Sequence, residues 1–196
     1  THAKIVVQGK AWWFDDGSVE PVDPAVMRES LETTIQKMRD LVASSESLQD
    51  PNERAQTLHE AATSARDALA DRTAASVAPE LVEVIEKSLA AVEDRLQEAY
   101  LDQYEVQHAQ LVRDSGAAAK LFERSMLDEA LAAYSDVAAA VEVQMTQMVG
   151  YLDEGRVSEP QAEFRGLLDE TQTSIGVVSR EIEAKRIESE MERIQN

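Results

Sequence analysis

Residues 79–114 read PELVEVIEKSLAAVEDRLQEAYLDQYEVQHAQLVRD, and the period of this stretch decides the fold. Leu81, Ile85, Leu89, Val92, Leu96, Tyr100 and Tyr104 recur in steps of three or four, which sets them on one face of a helix and on no single face of a strand. Pro79 opens the segment, where a missing N–H costs nothing. The pattern predicts one helix running to about Asp114, with Ser115-Gly116 as the turn that ends it.

Working outward, the same period governs the flanks. Asp23-Pro24 is a helix start, and Met27, Leu31, Ile35, Met38 and Val42 follow on one face. Asp50-Pro51 repeats the signal ahead of Ala55, Leu58, Ala62, Ala65 and Leu69, a stripe small enough to let a neighbouring helix come close. Thr73 to Ala78 reads as a short break. A fourth helix is expected after Gly116, carrying Phe122, Met126, Ala130, Val137, Val141, Met145 and Met148 as far as Leu152. Glu159-Pro160 is read as the start of the last helix, with Phe164, Leu168, Thr171, Ile175, Val178 and Ile182 on its face. Beyond Ile182 the apolar positions Ile187, Met191 and Ile194 lie on a rotated stripe, which a straight helix cannot turn toward the same neighbour.

Residues 4–24, KIVVQGKAWWFDDGSVEPVDP, are the exception to the helical pattern. Asp16-Gly17 between apolar runs is a hairpin signal, since both central turn positions need φ > 0. Trp12, Trp13 and Phe14 sit in this ribbon, and adjacent strand residues face opposite ways, so one indole needs a second cover. The expected architecture is therefore all-α: an elongated antiparallel helical bundle of about five helices over residues 23–185, an N-terminal β-hairpin arm over 1–22, and a helical tail over 186–196.

Composition narrows what such a chain does. With 38 acidic and 19 basic side chains its formal net charge is −19. No Lys/Arg cluster is present to displace counterions from a polyphosphate, which argues against nucleic acid as a partner. The same sign opposes docking on anionic lipid. There is no cysteine, so disulfide and thiolate chemistry are excluded. No apolar run is long enough to span a bilayer, and a cytoplasmic location is expected. No nucleophile elbow, P-loop or dinucleotide-binding glycine turn occurs, so no enzyme is expected.

Two local patterns point toward chemistry or a family. Glu105-Val106-Gln107-His108 has the Glu-x-x-His spacing that di-iron bundles use on two of their four helices. A second such motif is missing, and the bland reading is an exposed histidine beside a solvated carboxylate. Residues 122–134, FERSMLDEALAAY, resemble the first helix of a tetratricopeptide repeat at Phe122, Leu127, Ala130, Leu131 and Tyr134, with Ser125 in place of the usual glycine. Stepping one 34-residue repeat to either side reaches Ser88 and Arg156, where the pattern does not recur. Met126, Met145 and Met148 are at ordinary core spacing, the alternative being an adaptable ligand groove.

The expectation is a non-enzymatic protein–protein interaction module, an adaptor, scaffold or structural subunit. No cofactor and no metal are expected. Its contact residues are Trp12, Trp13 and Phe14 in the arm and Ile187, Met191 and Ile194 in the tail. The partner is another protein or a second copy in a homo-oligomer. The alternative is a small-molecule-binding helical sensor domain from a membrane receptor, for which convergent arginines around a pocket are the mark.

Overall fold

The computed structural model describes residues 3–7, 10–15, 18–70 and 74–195, with side chains from residue 23 onward. The class is all-α, with six helices along the described residues from Pro24 to Gln195. Ahead of them the backbones of Ala3–Val7 (β1), Lys10–Asp15 (β2) and Ser18–Val22 (β3) pair antiparallel in the order β1-β2-β3. Ile5 stands opposite Trp12, and Trp13 opposite Glu20. The expected Asp16-Gly17 turn lies outside the described residues. The chain divides into two compact units, Thr1–Ala99 and Tyr100–Asn196.

In the first unit, α1 (Pro24–Ser47) packs on α2 (Pro51–Ala70). The Asp23 carboxylate accepts from the Ala25 N–H at 2.9 Å, and Asp50 accepts from the Asn52 N–H at 2.9 Å, so both aspartates cap a helix as their Asp-Pro pairs imply. Leu31, Ile35 and Met38 of α1 are buried, as are Ala55, Leu58, Ala61, Ala62 and Ala65 of α2. Residues 74–77, read as a break, instead form a one-turn helix, α3 (Ala74–Val77), because Ala74 and Ala78 on either end of it are buried. The long helix α4 (Pro79–Glu123) adds Ile85, Val92 and Leu96 to the buried set. Four ion pairs bridge helices here: Arg28–Glu80 at 2.6 Å, Lys37–Glu60 at 2.9 Å, Arg66–Glu93 at 2.7 Å and Arg95–Glu46 at 2.7 Å. All are solvent-exposed, so each contributes at most about 1 kcal/mol and serves register more than stability. The Glu80 carboxyl lies below its ordinary value because it accepts from its own backbone N–H, with Arg28 adding to the effect.

In the second unit the rest of α4 packs with α5 (Leu127–Tyr151) and α6 (Glu154–Gln195). One core cluster joins Tyr104, Val137, Val141, Met148, Leu152, Phe164 and Leu167. A second joins Ala118, Ala130, Tyr134 and Val178. Connections of only a few residues between α4 and α5 and between α5 and α6 make these neighbours antiparallel.

Two expected boundaries are corrected. α4 does not stop at Ser115-Gly116 but continues to Glu123. A glycine inside a helix costs only about 1 kcal/mol, and it is followed by strong helix formers. Ending the helix there would withdraw fully buried Ala118 and half-buried Phe122 from the second cluster. The turn falls instead at Ser125, whose φ of 61° is left-handed. The Met126 N–H donates to the Leu121 carbonyl at 3.0 Å and the Ser125 N–H to the Phe122 carbonyl at 2.8 Å, the paired bonds of a Schellman cap with serine in the place glycine usually takes. α6 likewise begins at Glu154, ahead of Pro160, which lies inside the helix. The Asp153 carbonyl accepts from the Arg156 and Val157 N–H groups at 2.8 and 3.1 Å, and Val157 packs on the first cluster, so the early start buries an apolar side chain.

Candidate functional site

The tail of α6 is the least covered helical surface among the described residues. From Glu183 to Gln195 every residue is exposed. Ile187, Met191 and Ile194 are 48%, 53% and 84% exposed. Upstream on the same helix, Phe164, Leu167, Thr171 and Val178 are buried. Over its last turns α6 therefore continues as helix with its surface open to solvent.

Trp12, Trp13 and Phe14, the other expected contact residues, lie on β2, and their side chains fall outside what the structure describes.

A cavity of about 430 Å³ in the first unit was not expected from sequence. It is lined by Ser45, Glu46 and Leu48 at the end of α1, Arg54 and Leu58 of α2, and Arg95 and Glu98 of α4. Arg54 and Arg95 do converge there, although they sit on different helices and look scattered in sequence. Glu46 and Glu98 balance their charge, and Arg95 already holds Glu46 at 2.7 Å. Both guanidiniums stand near the C-terminal end of α1, where cations complement the helix dipole. The Ser45 hydroxyl donates to the Val42 carbonyl at 2.7 Å. The cleft is thus charge-balanced and borders that helix end.

Among the described residues the Glu105/His108 pair gains no further ligands. His108 packs its ring against Phe164, with centroids 5.1 Å apart, while Phe164 meets Tyr104 edge-on at 6.4 Å. Among the described residues no three His, Asp or Glu side chains gather to hold a metal ion. Burial pushes the Tyr104 phenol up to about 12, with Tyr151 and Tyr100 adding to the shift. Tyr151 meets Tyr100 at 5.1 Å. Of the three methionines, Met148 is fully buried in the first cluster, Met145 packs against it, and Met126 is 39% exposed beside the Ser125 turn. They form ordinary core and surface, not a groove.

Buried Oγ1 of Thr171 and Oε1 of Gln107 and Gln144 meet no hydrogen-bonding group among the described residues. Among the described residues no helix is long and apolar enough to cross a membrane. Comparison with protein-family models, with curated proteins and with solved structures finds no match.

Proposed function

We propose that this chain is a non-enzymatic, helical protein–protein interaction module, an adaptor, scaffold or structural subunit working in the cytoplasm through contact surfaces rather than chemistry. The observation that carries this reading is the α6 tail, where Ile187, Met191 and Ile194 stand exposed on the helix. The N-terminal hairpin arm, residues 1–22, is the second contact surface. Adjacent strand positions alternate between faces, so this reading assigns one of Trp12 and Trp13 to a partner as its anchor. Self-association of the chain, with nucleic acid excluded as a partner, belongs to the arm in this reading.

The experiment is crosslinking and affinity capture from the native cell with the full chain, with Trp13→Ala and with a chain ending at Lys185. The reading expects the captured set to shrink in each variant. An unchanged set in both removes its basis.

The cleft at Arg54 and Arg95 favours a second reading, a helical module that takes a small molecule between its helices. Paired arginines and glutamates suit a zwitterion better than a simple anion. Thermal shift across an amino-acid and carboxylate panel separates the two readings, since a ligand raises Tm by mass action and an interaction module responds to none.

A further inference from the structure

On the interaction reading above, we propose that the α6 tail docks a basic amphipathic helix of a different protein as a short coiled coil, and that it rejects a second copy of its own chain. At about 100° per residue, Phe164, Thr171, Val178 and Ile182 cluster on one side of α6. Ala184, Ile187, Met191 and Ile194 cluster about 175° round from them, with a span of 7 between Ala184 and Met191 and again between Ile187 and Ile194. The tail stripe thus points away from the face that α4 and α5 cover, in the a and d positions of a heptad.

What borders the stripe identifies the occupant. Glu183 and Glu190 fall in the g positions on one side, and Glu188 and Gln195 in the e positions on the other. The tail's basic residues, Lys185, Arg186 and Arg193, lie on the back of the helix. There Arg186 reaches Glu183 at 3.1 Å, and both remain well exposed. In a parallel pair of tails Glu183 would meet Glu188 of the second copy. In an antiparallel pair Glu183 would meet Glu190. Every self-pairing sets like charges across the seam, and so does an anionic lipid surface. A helix with apolar a and d residues and Lys or Arg at e and g matches both the stripe and its borders.

The test uses the full chain and labelled synthetic peptides of several heptads, read by fluorescence anisotropy. One peptide has Leu at a and d with Lys at e and g. A second carries Glu at e and g. A third keeps the lysines but replaces the leucines with Ser, which controls for general attraction to an acidic protein. Binding of the first peptide alone is expected, weakening with added salt. It should be lost in a chain ending at Glu183, and weakened about tenfold by Ile187→Ser with Ile194→Ser. The triple variant Glu183→Lys, Glu188→Lys, Glu190→Lys should exchange the preference for the second peptide.

Equal binding of the first and third peptides, or binding that survives truncation at Glu183, overturns the proposal. So does a dimer that dissociates on that truncation, or co-sedimentation with phosphatidylglycerol vesicles through the tail. Failure here together with tail-dependent capture from the cell refutes only the basic helix. Tail- and arm-independent capture refutes the interaction reading beneath it.

Discussion

The location of the turn between α4 and α5 makes a paired prediction with a sign at each site. Gly116 lies within α4, and a Cβ added there meets nothing within 4 Å. Gly116→Ala should therefore stabilise by the helix-propensity difference, about 0.8–1 kcal/mol. Ser125 is exposed, with φ at 61°. A left-handed conformation costs an L-residue about 1–2 kcal/mol, and a glycine gives back about 0.4–1 through the entropy of the unfolded chain. Ser125→Gly should thus stabilise by about 0.5–1 kcal/mol, and Ser125→Val should destabilise, since a branched Cβ resists that conformation. The two stabilising changes lie in different turns of the chain, so the double variant should approach their sum. For a chain of this size each kcal/mol moves Tm by about 2–4 °C. Urea unfolding followed by circular dichroism gives the free energies, with m held constant as evidence that the unfolded state is unaltered. Were Ser115-Gly116 the turn instead, the alanine at 116 would destabilise and the glycine at 125 would cost helix propensity. Either sign reversal refutes the boundary described above.

Phe164 is buried between Tyr104 and His108, so Phe164→Ala should cost about 3–5 kcal/mol, read as a fall in the urea midpoint. A loss below 1 kcal/mol would show that this cluster is not core. Tyr104 supplies a pH dependence. Its phenol holds its proton to about 12 in the folded chain and loses it near 10 when unfolded, so the folded state binds more protons in between. Stability present below pH 10 should drop by about 2–3 kcal/mol across that window, and Tyr104→Phe should flatten the drop. Thr171 is fully buried with its hydroxyl unpaired among the described residues, so Thr171→Val should stabilise by about 1–3 kcal/mol. Destabilisation would mean that the hydroxyl has a partner. Finally, a net charge of −19 outweighs the exposed ion pairs among the described residues, so added sodium chloride should raise Tm. A fall in Tm with salt would reverse that ranking.

The helical stripes were legible because burial follows the 3.6-residue period. Leu31, Ile35 and Met38, and likewise Phe164, Thr171 and Val178, are buried where their spacing places them. Turn positions were less legible, because turn signals compete with tertiary burial. Ser115-Gly116 carries the stronger dipeptide signal, but Ala118 and Phe122 beyond it have a core to join. Ser125 marks the actual turn without a glycine to announce it. Pro160 misled in the same way, since Val157 ahead of it packs inward. The Arg54–Arg95 cleft had no local signal at all. Its members come from three helices, and only their packing brings them together. The tail stripe was legible as a change of phase. Its exposure is decided by tertiary packing, because a rotated stripe can equally meet a neighbour within its own fold.

The two opposed stripes of α6 also bear on how docking would be driven. A free segment of so few residues would be marginal as a helix in water, because nucleation is costly. Here nucleation has already occurred in the buried part of the same helix, and the tail needs only propagation. Glu, Ala, Arg and Met favour that, and the Arg186–Glu183 contact adds to it. A partner therefore meets a surface that is already ordered and does not draw on the binding energy to fold it. Burying the remaining exposed surface, about half of Ile187 and Met191 and most of Ile194, can then contribute about 1–2 kcal/mol each to association. Because the stripe lies opposite the bundle face, substitutions in it should change affinity while leaving the urea midpoint in place. Phe164→Ala should do the reverse of that where the tail stays helical. A tail substitution that lowered stability as much as affinity would show that the two faces are not separate, and the division of labour along α6 would fail with it.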